Sequence, residues 1–243
     1  MANLSDFTYD SYRALLQTLK TNGYRFCFFD ECDNGKKCIL RHDIDFDIKK
    51  SLELARIENK LGAKSTFFVL LKTNFYNPIS KSSIDMLKEI VKLGHCIGLH
   101  FDEKSYDDNC DVVRLIKTES DILEKALGFP IRCVSMHRPS KKTLESNYVI
   151  EGIINSYSHK YFKEYKYISD SRRNWREDAF QIVNSKQFSK LHILTHAFWY
   201  HDKKSDIKND LVGFVNEAKK ERFVSLGDNI TNFDELLDEG DIL

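Results

Sequence analysis

Strand-like apolar runs and amphipathic helical runs take turns along most of this 243-residue chain, and that alternation restricts its fold more than any other feature. "KCILRHD" reads as a strand, and "DFDIKKSLELARIENKLG" as a helix with Ile48, Leu52, Ala55 and Leu61 on one face and Gly62 at its end. "STFFVLL", "HCIGLH" and "IRCVSMH" read as further strands. The stretches "SKSSIDMLKEIVKLG" and "DVVRLIKTESDILEKALG" read as the helices between them. Short connections in this order predict a parallel sheet, open or closed into a barrel, with functional groups gathered at the carboxyl ends of its strands. Upstream, "TYDSYRALLQTLKTNG" predicts a helix, and "YRFCFF" a strand turning through "DNGK" into the next, so residues 1–37 are expected to hold a helix and a hairpin. "DIKNDLVGFVNEAKKERF" predicts a closing helix within residues 203–243. With 10 Gly, 3 Pro and no linker-like stretch, residues 1–243 are expected to form a single domain.

Composition lends no support to several function classes. Lys+Arg and Asp+Glu are equal at 37 each, so bulk charge gives no support for binding nucleic acid or an anionic membrane. No apolar run reaches the length of a membrane span, and the first residues lack the basic and apolar regions of a secretory signal. A cytoplasmic protein is expected. The six cysteines, at 27, 32, 38, 96, 110 and 133, form no CxxC pair and read as free thiols in a reducing compartment.

The chemistry sits at the strand ends. "ILRHD" finishes at Asp43 with Asp45 just beyond, "CIGLH" at His100, "RCVSMH" at His137, "YKYISD" at Asp170 and "LHILTH" at His196. One histidine at a strand end is usually structural, and His42, His95, His159, His192 and His201 are read that way. Asp47 reads as a helix N-cap, a use open to Asp45 as well. Joint recurrence at the same end of successive strands sets Asp43, Asp45, His100, His137 and His196 apart. An aspartate with two neutral histidines is a ligand set for Zn²⁺ or a related divalent ion, leaving a further carboxylate and histidine for proton transfer. Trp199, Tyr200 and Trp175 offer either a sugar-stacking wall or packing at the rim.

The order of "RHDID", "GHCIGLH", "HRP", "ISDS" and "LTH" resembles the polysaccharide deacetylase (NodB-homology, carbohydrate esterase 4) superfamily, over about residues 38 to 200. It is most similar to a divergent RHD-x-D branch that includes WbmS-like proteins of O-antigen gene clusters. The resemblance implies an α/β fold, a distorted (β/α) barrel of the polysaccharide deacetylase type, that removes acetyl groups from sugars with a divalent metal, Zn first. It makes Asp43 the catalytic base, Asp45 and His100 metal ligands, Arg138 the arginine that contacts the base, and His196 the general acid, supported by Asp170. Where the family has a second motif histidine, this chain has Lys104, which is no ligand, so His137 is expected to supply the missing nitrogen. The usual proline after the last histidine is Ala197. Arg41 and Trp199 remain as expected substrate contacts. The implied substrate is an acetylated sugar, nucleotide- or lipid-linked, in surface-polysaccharide biosynthesis. The alternative is a non-catalytic carbohydrate-binding or scaffold protein on a degenerate deacetylase fold.

Overall fold

The computed structural model describes residues 3–31 and 35–242. The chain divides into two compact units, Met1–Asp202 and Lys203–Leu243. The strands of the first unit are β1 (Arg25–Phe26), β2 (Lys37–Ile44), β3 (Thr66–Leu70), β4 (Cys96–Phe101), β5 (Cys133–Met136), β6 (Ile154–Asn155), β7 (Lys166–Ser169) and β8 (Lys190–Thr195). Its helices are α1 (Tyr9–Thr21), α2 (Ile48–Lys60), α3 (Lys81–Lys92), α4 (Val112–Leu127), α5 (Lys141–Ser146), α6 (His159–Lys163) and α7 (Ala179–Ser185). The second unit holds α8 (Ile207–Gly227), begun by the Asp206 side chain accepting from the Asn209 N–H at 2.8 Å. There Phe233 is buried with its ring 5.0 Å from that of Phe223.

Every paired strand is parallel, in the order β6-β5-β4-β3-β2-β8-β7, with β1 also on β2. The sheet is a curled half-barrel with helices outside, as strand–helix alternation requires. Side chains alternate across it. Phe67, Val69, Leu99 and Val134 meet the helices in the outer core, whereas Ile39 and Phe68 face inward onto Cys27, Phe29, Tyr161 and Tyr165. Gly98 on β4 marks a close approach. A Cβ there would lie 2.6 Å from the Phe68 ring and 2.9 Å from the Cys133 carbonyl oxygen.

The helix caps follow the sequence. Asp47 accepts from the Lys49 N–H at 2.7 Å, and Gly128 ends α4 at φ 80°. The expected hairpin does not form. Arg25 and Phe26 pair in parallel with Lys37 and Cys38, because the chain runs on to bury Cys27 and Phe29 inside the barrel instead of turning back. The expected turn at "DNGK" includes Asp33 and Asn34, which lie outside the described residues, as does Cys32. The five described cysteines are free, and no described helix is long and apolar enough to cross a membrane.

His192 on β8 is fully buried inside the barrel, with its ring edge-on to Phe29 at 5.4 Å and close to Tyr167 at 5.2 Å. Burial and then the Arg41 charge push its pKa down to about 3. In the unfolded chain a histidine takes up a proton near 6.5. The unfolded state therefore binds the extra proton between those values, and acid weakens the fold. We expect denaturation midpoints to fall as the pH drops from 6.5 towards 4. His192→Asn should lose up to about 1.4 kcal/mol less per pH unit over that window. Parallel curves for the two proteins would refute the assignment.

Candidate metal-dependent active site

The site lies at the carboxyl ends of the strands, where the register of β2 sets its centre. Arg41 and Asp43 point into the barrel and His42 points out towards α2. Just past the strand, Asp45 stays on the inner side. The turn is held by Tyr76, whose hydroxyl donates to the Ile44 carbonyl at 2.7 Å and accepts the Leu70 N–H at 3.0 Å.

Asp45, His100 and His137 each offer one ligand atom, all within 4.8 Å of one another. Asp45 Oδ1 lies 3.3 Å from His100 Nε2 and 3.2 Å from His137 Nδ1, yet it makes no well-directed hydrogen bond with either. Three donor atoms this close together, one of them a buried and unsatisfied carboxylate oxygen, fit a divalent ion such as Zn²⁺. A supporting contact orients His100. Ser135 Oγ donates to Asp43 Oδ1 at 3.3 Å and lies 2.7 Å from His100 Nδ1, so Nδ1 donates and Nε2 turns its lone pair to the site. Burial opposes ionisation of Asp45, but the two imidazoles and His196 outweigh it and hold its carboxyl well below the usual range. Burial likewise lowers the His137 pKa, and Asp45 more than reverses this.

Two charge pairs flank the ligands. Arg41 is fully buried and forks Asp43, Nε to Oδ1 at 2.8 Å and Nη2 to Oδ2 at 2.7 Å. Its guanidinium sits 4.8 Å from the Tyr157 ring centroid and 5.6 Å from that of Phe68. Burial would raise the Asp43 pKa, but Arg41 and then His100 pull it below the ordinary carboxylate value. On the other side, His196 Nδ1 lies 2.6 Å from Asp170 Oδ1, and both Asp170 oxygens also accept the His196 backbone N–H, at 3.1 and 3.0 Å. Burial lowers the His196 pKa, and the buried Asp170 carboxylate overrides it, pushing the value up to about 9. His196 Nε2 lies 3.8 Å from Asp45 Oδ2, next to the ligands.

Asp43, Asp45, His100, His137, Asp170 and His196 thus come together, while three expected residues make contacts other than those expected. Arg138 does not contact Asp43. Its Nε donates to Asp102 Oδ1 at 3.1 Å and its Nη2 to Oδ2, because Asp102 follows β4 directly opposite the end of β5. Arg41 holds Asp43 in its place. Being fully buried, Arg41 is closed to substrate and is no substrate contact. Trp199 is only 8% exposed and packs on Phe198 at 4.8 Å and Phe46 at 6.1 Å, behind the surface it was expected to form. Tyr200 is fully buried. Lys104 is exposed on a short 3-10 turn after β4 and lies outside the ligand group.

Sequence reading missed Ser135, which looks like any small strand residue, and Lys72, Phe46 and Phe75. These three line a cleft of about 430 Å³ together with Asp45, His137 and Arg138. Only their nearness to Asp45 in space identifies them.

No family profile and no curated protein matches the chain. Among solved structures, it is similar to a Streptococcus pyogenes deacetylase, PplD, in complex with acetate. The two share 20% identity over 56% of this chain and 66% of that one, with a TM-score of 0.43. The peptidoglycan deacetylase PdaC of Bacillus subtilis is 15% identical over 76% of this chain and 87% of that one, with a TM-score of 0.46. A CE4 family pseudoenzyme from Bacillus anthracis is 16% identical over 77% of this chain and 62% of that one, with a TM-score of 0.44. This chain spans just under two thirds of the length of the first and third of these. At such values they assign no activity, and the site stands on its own geometry.

Replacing Arg41 by Met should leave Asp43 buried without its partner and cost about 3–5 kcal/mol in a denaturant titration of metal-free protein. Adding Asp43→Asn to that variant should recover a large part of the loss. Additive losses in the double variant would contradict the pairing.

Proposed function

We propose that this protein is a divalent-metal-dependent hydrolase that removes an acetyl group from a sugar. The observation that carries the reading is the convergence of the ligand set Asp45, His100 and His137 between a carboxylate held ionised by Arg41 and an imidazole held protonated by Asp170.

Asp45, His100 and His137 would hold the metal, with Zn²⁺ the first candidate, which when bound polarises the acyl carbonyl and stabilises negative charge on its oxygen. Asp43 is the general base. Its fork to Arg41 fixes its orientation and keeps it ionised, and the Oδ2 lone pair not used by Arg41 takes a proton from water as that water attacks the carbonyl carbon. His196 is the general acid. Collapse of the tetrahedral species breaks the bond from the acyl carbon to the sugar nitrogen or oxygen, and His196 gives that atom its proton. Acetate and the free amine or alcohol are the products. Asp170 orients the His196 ring from its far edge and favours the imidazolium, the form required before this transfer. Both groups are then in the working protonation state near neutral pH.

A proton-transfer pair beside the ligands favours catalysis over sugar binding alone, since binding needs neither group. We further propose that residues 1–243 work as one deacetylase chain, with the second unit accessory, and that the substrate belongs to surface-polysaccharide synthesis.

Elemental analysis after reconstitution should find stoichiometric Zn²⁺ in the wild type and sharply less in Asp45→Asn and His137→Ala. Lys104→Ala should retain the metal. Asp43→Asn should also keep its metal but release acetate from N-acetylated sugars roughly 10²–10⁴ times more slowly. A wild type that takes up neither Zn²⁺, Co²⁺ nor Mn²⁺ would sink the reading.

A further inference from the structure

The cleft beside the ligands bears charge and aromatic surface that deacetylation itself does not call on. Its lining includes Asp45, His137, Lys72, Arg138, Phe46 and Phe75. Phe46 and Phe75 meet edge-on at 4.9 Å, with Phe198 4.8 Å behind Phe46, and Phe75 is 55% exposed. That is an apolar ledge of the kind a sugar ring lies against.

The two cations differ. The Arg138 charge is met by its fork to Asp102. Among the described residues, Lys72 has no carboxylate within ion-pair distance, and its Nζ lies 3.5 Å from the centroid of the Tyr106 ring. Tyr106 is fixed in turn, stacked on Phe101 at 5.6 Å and donating its hydroxyl to Glu119 at 2.5 Å. Glu119 feels the lysine charge but lies beyond contact, and its Oε1 is taken by Tyr106. Lys72 is therefore an exposed cleft-lining residue whose ammonium rests over a ring without a carboxylate at ion-pair distance. Contact with a ring face at an exposed site contributes only about 0.5–1 kcal/mol, less than a lysine can lose in rotamer freedom when ordered. A ligand oxyanion would supply the missing partner through a charge-assisted hydrogen bond. With a divalent ion on Asp45 and its histidines, the metal end of the cleft carries no excess negative charge to oppose one.

We propose that the substrate is an anionic sugar, and that Lys72 binds its carboxylate or phosphate group while the Phe46–Phe75 ledge supports the ring. This rests on the deacetylase reading for the identity of the ring. The subsite itself can be tested without turnover.

The test is an NMR titration at low ionic strength with three probes: N-acetylglucosamine, its 6-phosphate and the corresponding N-acetylated uronic acid. Zinc-loaded wild type, Lys72→Gln and Lys72→Arg are compared, with thermal melts confirming that each is folded. At least one anionic probe should bind the wild type roughly tenfold more tightly than the neutral sugar. The preference should vanish in Lys72→Gln and persist in Lys72→Arg. Which anion is favoured separates a phosphorylated from a carboxylated substrate. Equal or undetectable binding of the three probes by the wild type would overturn the proposal, as would a preference that survives Lys72→Gln. Acetate release is read separately on the same samples. A Lys72-dependent anion preference without acetate release keeps the subsite and removes the deacetylase reading. Acetate release with no anion preference does the reverse.

Discussion

The rest of the structure depends on a carboxylate that no solvent reaches. Glu58, from α2, accepts from the Tyr12 hydroxyl of α1, lies 2.8 Å from His42 Nε2 on β2, and takes the Ser65 hydroxyl at 2.5 Å. Ser65 Oγ also touches His95 Nδ1 at 3.0 Å, and His42 Nδ1 lies 2.6 Å from Thr195 Oγ1 on β8. Burying a carboxylate costs several kcal/mol, and only a full set of partners offsets that. Burial pushes the Glu58 pKa upward, but His42 and then its other partners bring it below the ordinary value, so the charge persists in the core. A slip of β2 against β8 or α2 would strand that charge. The network therefore works as a register lock.

What the lock holds is the active side of the same strands. His42 precedes Asp43, and Thr195 precedes His196, so the outer partners of Glu58 alternate with inner residues of the candidate site. Strand pleating turns one fixed register into fixed positions for Asp43 and His196, the proposed base and acid. The pKa environments then diverge in the useful sense, with Asp43 lowered through Arg41 and His196 raised through Asp170. Each pair is made of neighbours in one layer, Arg41 two residues before Asp43 and Asp170 on β7's exit beside β8. Neither needs a flexible loop.

Much of this is legible in the sequence, for a physical reason. A parallel sheet puts strand ends on one edge, so charged residues that close apolar runs are brought together whatever their separation along the chain. The alternation of strands and helices, the Asp47 cap and the cluster of strand-end aspartates and histidines follow from that. Partner choice within the edge does not. Arg138 and Arg41 both lie within reach of the rim by sequence, and only the position of Asp102 beneath Arg138 decides that Arg41 serves Asp43. Trp199 has the composition of a sugar platform, but a short 3-10 turn rotates it inward behind Phe198. "YRFCFF" has the pattern of a hairpin strand, and what pairs it in parallel is the demand of the barrel interior for Cys27 and Phe29. Local pattern specifies which residues can go inside, whereas packing settles their direction.

The position of Lys104 bears on the same distinction. A ligand on the turn after β4 would project from an exposed 3-10 segment. His137 instead comes from the end of β5, a strand paired with β4 through His100↔Ser135 and Phe101↔Met136, and its own N–H donates to the Phe101 carbonyl at 2.8 Å. Both nitrogen ligands therefore rest on adjacent strands of one sheet. Ser135, which contacts His100 Nδ1, lies on β5 just before His137 and donates to Asp43 as well. With His137 as the third candidate ligand, the proposed metal set, the Ser135 hydroxyl and the proposed base share one layer of the sheet. On the proposed ligand set, position 104 carries no ligand requirement, and a lysine there is compatible with it.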